Sequence, residues 1–226
     1  MLKKILIILA FTLSLNAYAE THYKPHISVG AKAGVTMSKV SFSPSVKQGW
    51  QMGEMGGITV RYAEEKLVGI IAELNFEQRG WKEDYEEYPF SYSRTLNYIQ
   101  LPIMTHITFG APRSKFFFNL GPEFGYMIGS SISSNFDYNN VGSVENFPIY
   151  NRMTEQLTTE VTGKFDYGIS AGFGFEFFVQ PQHSVNLECR YYYGLGNIFP
   201  SSKRDTFGAS RTMSLMVNLG YYFRLK

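Results

Sequence analysis

The chain has 226 residues, of which 44% are apolar, 16% aromatic and 18% charged, with a formal net charge of +2. That balance lacks the basic footprint of a nucleic-acid-binding protein, and a lone cysteine, Cys189, excludes an intrachain disulfide. Beyond the N-terminus no run approaches the ~20 apolar residues that a membrane-spanning helix needs, whereas 19 Phe, 16 Tyr and 21 Gly suit a barrel with apolar side chains at alternate positions.

The first element is a signal peptide over residues 1–19. Lys3 and Lys4 open it, an apolar stretch over 5–15 follows, and Ala17-Tyr18-Ala19 offers small residues for cleavage. The mature domain is expected over 20–226, exported to the cell outer membrane. Losing Lys3 and Lys4 takes 21 basic residues to 19, equal to the 19 acidic ones.

Period-2 alternation then recurs along the chain, the mark of strands with two unlike faces. Residues 26–38 carry Ile27, Val29, Ala31, Ala33, Val35 and Met37 on one face. Residues 50–62 carry Ile58, Val60 and Tyr62, and residues 67–79 carry Val68, Ile70, Ala72, Leu74 and Phe76. Residues 97–109 and 115–129 follow, joined by a tight turn over 110–114. Residues 165–177 alternate most cleanly, with Phe173, Phe175 and Phe177 against Gly172, Gly174 and Glu176. Residues 185–193 lead to the last strand, 213–226, where Met213, Leu215, Val217, Leu219, Tyr221, Phe223 and Leu225 share a face. The connections are alternately long and short, the longest over 130–163. The predicted fold is therefore all-β: an eight-stranded antiparallel transmembrane β-barrel with short periplasmic turns and longer extracellular loops.

Alternation does not say which face lies inside, because a soluble barrel can be lined with apolar residues. The aromatic bulk of the apolar face favours lipid outside. Tyr62, Phe109, Phe177, Tyr221 and Phe223 lie near the short-turn ends, where an interfacial girdle belongs. The other face mixes Gly, Ser and Asn with Lys32, Arg61, Glu73, Glu77, Arg79, Glu123, Asp166, Glu176, Glu188, Arg190 and Arg224. Eight strands enclose a space that side chains just fill. These charges are expected to pair across it as a network and not to line a pore.

Several motifs, taken in order, resemble a known family. They are Gly30-Ala31-Lys32-Ala33-Gly34, Glu73-Leu74-Asn75-Phe76 with Gly80, Tyr98-Ile99-Gln100-Leu101-Pro102, Gly121-Pro122 and the final Leu219-Gly220-Tyr221-Tyr222-Phe223. Together they resemble the PorT-like outer-membrane β-barrel family of Bacteroidota. The resemblance covers the mature chain and implies an OmpX-like eight-stranded barrel. It assigns no molecular activity, although one branch of that family belongs to a secretion machine. The last strand also resembles the signal read by the barrel-assembly machinery, with Asn218, Leu219, Gly220, Phe223 and Leu225 in its slots.

The remaining candidates are weaker. His22 and His26 are spaced for a metal only on a helix, which Pro25 opposes. Pro102 and Pro122 fall within strands of a closed barrel, so local bulges are expected in preference to a lateral lipid gate. The acidic segment Glu83, Asp84, Glu86 and Glu87, with Trp81, Tyr85 and Tyr88, reads as a solvated loop. Cys189 reads as a small lipid-facing filler. An acyltransferase would need an external His beside a nucleophile, and His22, His26, His106 and His183 all fall toward the periplasmic half. The expectation is a non-enzymatic barrel without cofactor or metal. It would sit in outer-membrane lipid and lipopolysaccharide, presenting its loops to a surface or secretion-complex protein. A narrow porin-like channel, or an accessory role in secretion, is the alternative.

Overall fold

The computed structural model describes residues 25–63, 67–149 and 152–225. The predicted signal peptide, its cleavage site and His22 lie outside the described residues. Eight long strands form the wall: β1 (His26–Ser43), β2 (Gln51–Ala63), β3 (Val68–Glu83), β4 (Tyr92–Ala111), β5 (Ser114–Ser134), β6 (Phe165–Gln180), β7 (His183–Gly194) and β8 (Ala209–Arg224). A two-residue strand, Gln48–Gly49, pairs with the end of β3. Each strand is antiparallel to its neighbours in sequence. Pairing of β1 with β8, from Ser28↔Arg224 to Ser43↔Ala209, closes the ring. Among the described residues, closure leaves none of the eight wall strands as an edge open to another chain.

The alternation sets the two faces of the wall. On β3, Val68, Ile70, Ala72, Leu74 and Phe76 are exposed, and the residues between them, Gly69 to Asn75, are buried. On β5 the exposed positions run through Phe116, Phe118, Leu120, Phe124, Tyr126 and Ile128. These exposed side chains would be ruinous in water, but they form a band facing lipid. Around nine to eleven tilted residues cross a bilayer's hydrocarbon, which matches the span from Val68 to Phe76. Tyr62, Phe109, Phe177 and Tyr221 are exposed at the short-turn end of this band.

The strands run well past the band at the other end. At about 3.3 Å per residue and ~45° tilt, the 21 residues of β5 rise about 49 Å, against ~30 Å of hydrocarbon. Consequently the long connections are shorter than expected. The acidic loop shrinks to residues 84–91, and the longest connection to 135–164. Among its described residues, that longest connection holds a 3-10 turn, Val141–Ser143, and one turn of α-helix, Glu155–Thr158.

The prolines correct an expectation. No bulge accompanies either of them. Pairing of β4 with β5 keeps one register from Tyr98↔Met127 to Ala111↔Ser114, and the bulge lies between Asn97 and Tyr98. Each proline lacks an N–H donor and interrupts the ladder on one side only. Around Pro102 the ladder to β3 stops at Ala72↔Ile103 and resumes at Asn75↔Gln100. Around Pro122 the ladder to β4 stops at Pro102↔Glu123 and resumes at Thr105↔Leu120. Giving up two rungs keeps every side chain on its proper face, whereas an inserted residue would shift them.

Candidate functional site

Ten of the expected interior charges, all except Arg224, are buried inside the barrel. They stack in three tiers. Nearest the short turns, Arg61 of β2 reaches across to Glu176 of β6. Its Nη2 donates to Oε1 at 2.6 Å and its Nη1 to Oε2 at 3.0 Å. Ser184 Oγ donates to the same Oε1 at 2.6 Å. The guanidinium lies 4.4 Å from the ring centroid of Tyr222.

The middle tier is a charge-balanced quartet. Arg190 of β7 grips Glu73 of β3 with two hydrogen bonds, at 2.7 and 2.9 Å. It also donates from Nε to Glu188 at 3.0 Å. Lys32 Nζ donates to Glu73 Oε2 at 2.5 Å and lies 3.9 Å from Glu188. Planar two-pronged pairing of this kind is what arginine supplies and lysine does not. A polar relay links the lower two tiers. Asn119 Nδ2 donates to Glu188 at 2.8 Å, so its Oδ1, 2.7 Å from His106 Nδ1, must accept. His106 therefore carries its proton on Nδ1, leaving Nε2 to accept from Arg61 at 3.3 Å.

The upper tier sets one cation among three carboxylates. Arg79 donates to Glu77 at 3.0 and 2.9 Å, to Asp166 at 3.3 Å and to Glu123. Hydroxyls help disperse the surplus negative charge. Ser214 donates to Glu77 at 2.9 Å, Thr212 to Asp166 at 2.7 Å and Ser170 to Glu123 at 2.5 Å. Tyr192 stacks its ring 3.7 Å below the Arg79 guanidinium.

Arg224 departs from its expected place in this network. It is half-buried at the periplasmic mouth, 5.9 Å from the ring centroid of Phe178. There it lines a cleft of about 930 Å³ with Arg113 and Phe109. The lumen is also less polar than the alternation implied, because Ile71, Met104 and Phe117 point inward and are buried.

The largest departure lies at the external end. Trp81, Glu83 and Tyr85, read as part of a solvated loop, are buried, while Asp84, Glu86, Glu87 and Tyr88 are exposed. Trp81 and Tyr85 join Val40, Phe42, Tyr92, Leu96, Phe147, Leu157, Val161, Ile198, Phe199 and Phe207 in an apolar core drawn from strand ends and three external connections, with Val46 of the fourth packed against it. Phe42 sits at its centre, 5.5 Å edge-on to Trp81, 5.6 Å stacked on Phe199 and 5.1 Å from Phe207. Glu83 accepts from Gln156 Nε2 at 3.1 Å and Arg152 Nη2 at 3.2 Å, which fastens the longest connection to β3. Burial pushes the Glu83 carboxyl up to about 7, outweighing the hydrogen bond from Gln156 and the charge of Arg152. Tyr92 and Arg94 add two more ties, donating to the carbonyls of Leu157 and Thr159 at 2.8 and 2.7 Å. The signal for this cap was the alternation itself. Continued past Arg79, it places Trp81 and Glu83 on the inward face.

The proposed assembly-signal residues occupy the closing strand and its end. Asn218 is buried and donates to Glu188 at 3.3 Å. Gly220 is buried, and a Cβ there would overlap Asn186 Oδ1. The Phe223 ring is 5.1 Å from His183, and Leu225 is exposed just beyond β8. Cys189 lies half-buried on β7 as a free thiol.

The sequence matches the family model for the outer membrane protein beta-barrel domain over residues 20–200. No curated protein matches it. Among solved structures it is similar to the outer membrane protein OprG from Pseudomonas aeruginosa, with 12% identity, 88% of this chain and 95% of that chain covered, and a TM-score of 0.49. It is also similar to Neisserial surface protein A, with 14% identity, 88% and 98% coverage and a TM-score of 0.42. A third is Ail, the attachment invasion locus protein of Yersinia pestis, in complex with the heparin analogue sucrose octasulfate, with 12% identity, 87% and 99% coverage and a TM-score of 0.41.

Proposed function

Because the chain belongs to the outer membrane protein beta-barrel domain family, we propose that it is a non-enzymatic, plugged barrel that holds a folded external cap for contact with a surface partner. One observation carries this reading. Three tiers of ion-paired side chains fill the lumen, and an aromatic core covers its external end. A protein built to pass solutes would keep polar groups lining a water-filled path; here the charges are spent on one another. The non-enzymatic part of the reading draws on the histidines. Among the described residues, His26, His106 and His183 lie at or toward the periplasmic end, and the external cap brings none to a nucleophile. Insertion would be guided by Asn218, Gly220, Phe223 and Leu225 on and just after β8, following cleavage of the N-terminal 19 residues.

A narrow channel is the second reading, and a different observation favours it. Asn75 Oδ1, Gln100 Nε2, Asp166 Oδ1 and Asn218 Oδ1 are buried without a hydrogen-bond partner among the described residues. Such groups are normally met by water, and a connected file of water would be the beginning of a path. Liposome swelling separates the two. Proteoliposomes are expected to swell in small sugars no faster than protein-free ones. Swelling that slows with sugar size would establish the channel.

A further inference from the structure

The outward face above the lipid band is not uniform around the barrel. On β1 the lipid-facing Val35 and Met37 give way to Lys39. On β8, Leu215 and Met213 give way to Arg211. On β2 Met52 is followed, just before the strand, by Trp50, and on β3 Phe76 and Gln78 are followed by Lys82. The register sets Lys39, Arg211 and Lys82 on adjacent stretches of the wall, with Trp50 against Lys39 and one residue from the partner of Lys82. Lys39 pairs with Met213 and Ser41 with Arg211, so Lys39 and Arg211 are diagonal partners, about 7–8 Å apart. Lys39 Nζ lies 4.8 Å from the Trp50 ring centroid and donates to the Gln48 carbonyl at 3.1 Å. Gly49, next to Trp50, pairs with Lys82. The result is a contiguous row across β8, β1, β2 and β3.

The charges around the row do not cancel it. Lys47, above it, is paired with Glu86 at 2.7 Å. Asp84 and Glu87 are exposed beyond Lys82, in the loop and farther from the lipid band. Glu54 is the outward acid below it, four residues from Trp50 on β2. Arg211 Nε is buried and has no hydrogen-bond partner among the described residues. On the next two strands the corresponding positions are Ser93, Thr95, Asn97 and Ser130, which carry no charge.

We infer that the Arg211–Lys39–Trp50–Lys82 row binds the phosphate groups of a glycolipid in the outer leaflet. The height fits, because lipid headgroups begin where the apolar band ends. So does the chemistry: arginine and lysine are the residues that take phosphate, and a tryptophan at this depth anchors the interface. The row lies on one side, so bound lipid would gather at β8–β3 and not evenly around the wall. The inference holds whether or not the lumen conducts.

Native mass spectrometry of the full-length protein released from detergent tests it. The probes are bisphosphorylated lipid A and the same lipid with its phosphates removed. The wild type is expected to bind the phosphorylated form at least tenfold more tightly. Replacing Lys39→Gln, Lys82→Gln and Arg211→Gln together should bring the two lipids within twofold of each other while gel migration stays that of a folded barrel. Lys164→Gln, a rim cation on β6's side, should leave the preference intact, as should millimolar inorganic phosphate. Equal binding of both lipids by the wild type overturns the inference. So does an unchanged preference in the triple variant, an equal loss in Lys164→Gln, or displacement by inorganic phosphate. If the triple variant does not fold, Lys82→Gln alone, at an exposed position, should lose two- to threefold; no loss overturns the inference equally.

Discussion

Glu73 is the residue on which the lumen depends most. It accepts from Arg190 twice, from Lys32 and from Asn75 at 2.9 Å, all without access to water. Removing it leaves two buried cations to share Glu188. Breaking a buried pair from one side typically costs about 3–5 kcal/mol. Glu73→Ala is therefore expected to lower the unfolding free energy by about that much, read as a lower urea midpoint, and Arg190→Ala similarly. Unchanged unfolding in both would mean that the tiers do not hold the wall together. Glu83 shows the opposite electrostatic sign. Its carboxyl is pushed up to about 7 from 4.5, so the folded state binds a proton more tightly than the unfolded one. Stability from this site is full below about pH 4.5 and declines as pH rises to about 7, by about 3 kcal/mol in all. Protection factors at residues 153–161, corrected for intrinsic base-catalysed exchange, should accordingly be lower at pH 8 than at pH 5, and Glu83→Gln should flatten the difference. Equal protection at both pH values in the wild type would contradict this assignment.

Among the elements, β8 joins two roles. It closes the ring against β1, and it carries the residues proposed to be read during insertion. Gly220 cannot separate these roles, because any side chain there meets Asn186. Phe223 can, since it is only half-buried at the periplasmic end. Phe223→Asp is expected to leave export intact while reducing the heat-modifiable, membrane-inserted form several-fold. Normal insertion would leave β8 as wall alone. The strands were the legible part of the sequence, because a period of two fixes both faces once any residue is placed. Glu73, Arg79 and Arg190 could be put inside on parity alone. The extensions beyond the bilayer were harder to read. At 78–83 the outward positions change from apolar to Gln78 and Lys82, so the hydrophobic contrast fades although the strand continues. Gly80 adds to this: it has a φ of +153° and its Cα sits against the Arg94 carbonyl, where a Cβ would overlap. Read in sequence, that glycine looks like the beginning of a loop.

At the scale of the whole molecule, the barrel and its cap form one apolar-and-ionic column from mouth to external face. The cap was legible only at its strand ends, for a physical reason. Phe42 and Trp81 come from the ends of β1 and β3 and keep their strands' alternation, but Phe147, Phe199 and Phe207 come from two separate connections with no periodicity, so only three-dimensional closure brings the five together. Aromatic residues scattered through the external segments of a barrel are the pattern that would reveal such a cap elsewhere. The cap also shapes what the protein can offer a partner: a surface held by Glu83, Tyr92 and Arg94 and not a set of free loops. Because the lumen tiers lie beneath it, removing the cap should not open the barrel. Single-channel recording in planar bilayers tests the central claim most directly, comparing the wild type with a variant in which residues 136–162 are replaced by a short Gly-Ser linker. Both are expected to give no discrete conductance steps. Regular steps from the folded wild-type protein would show that the ion-paired tiers leave a continuous water path, and would contradict the plugged-barrel account.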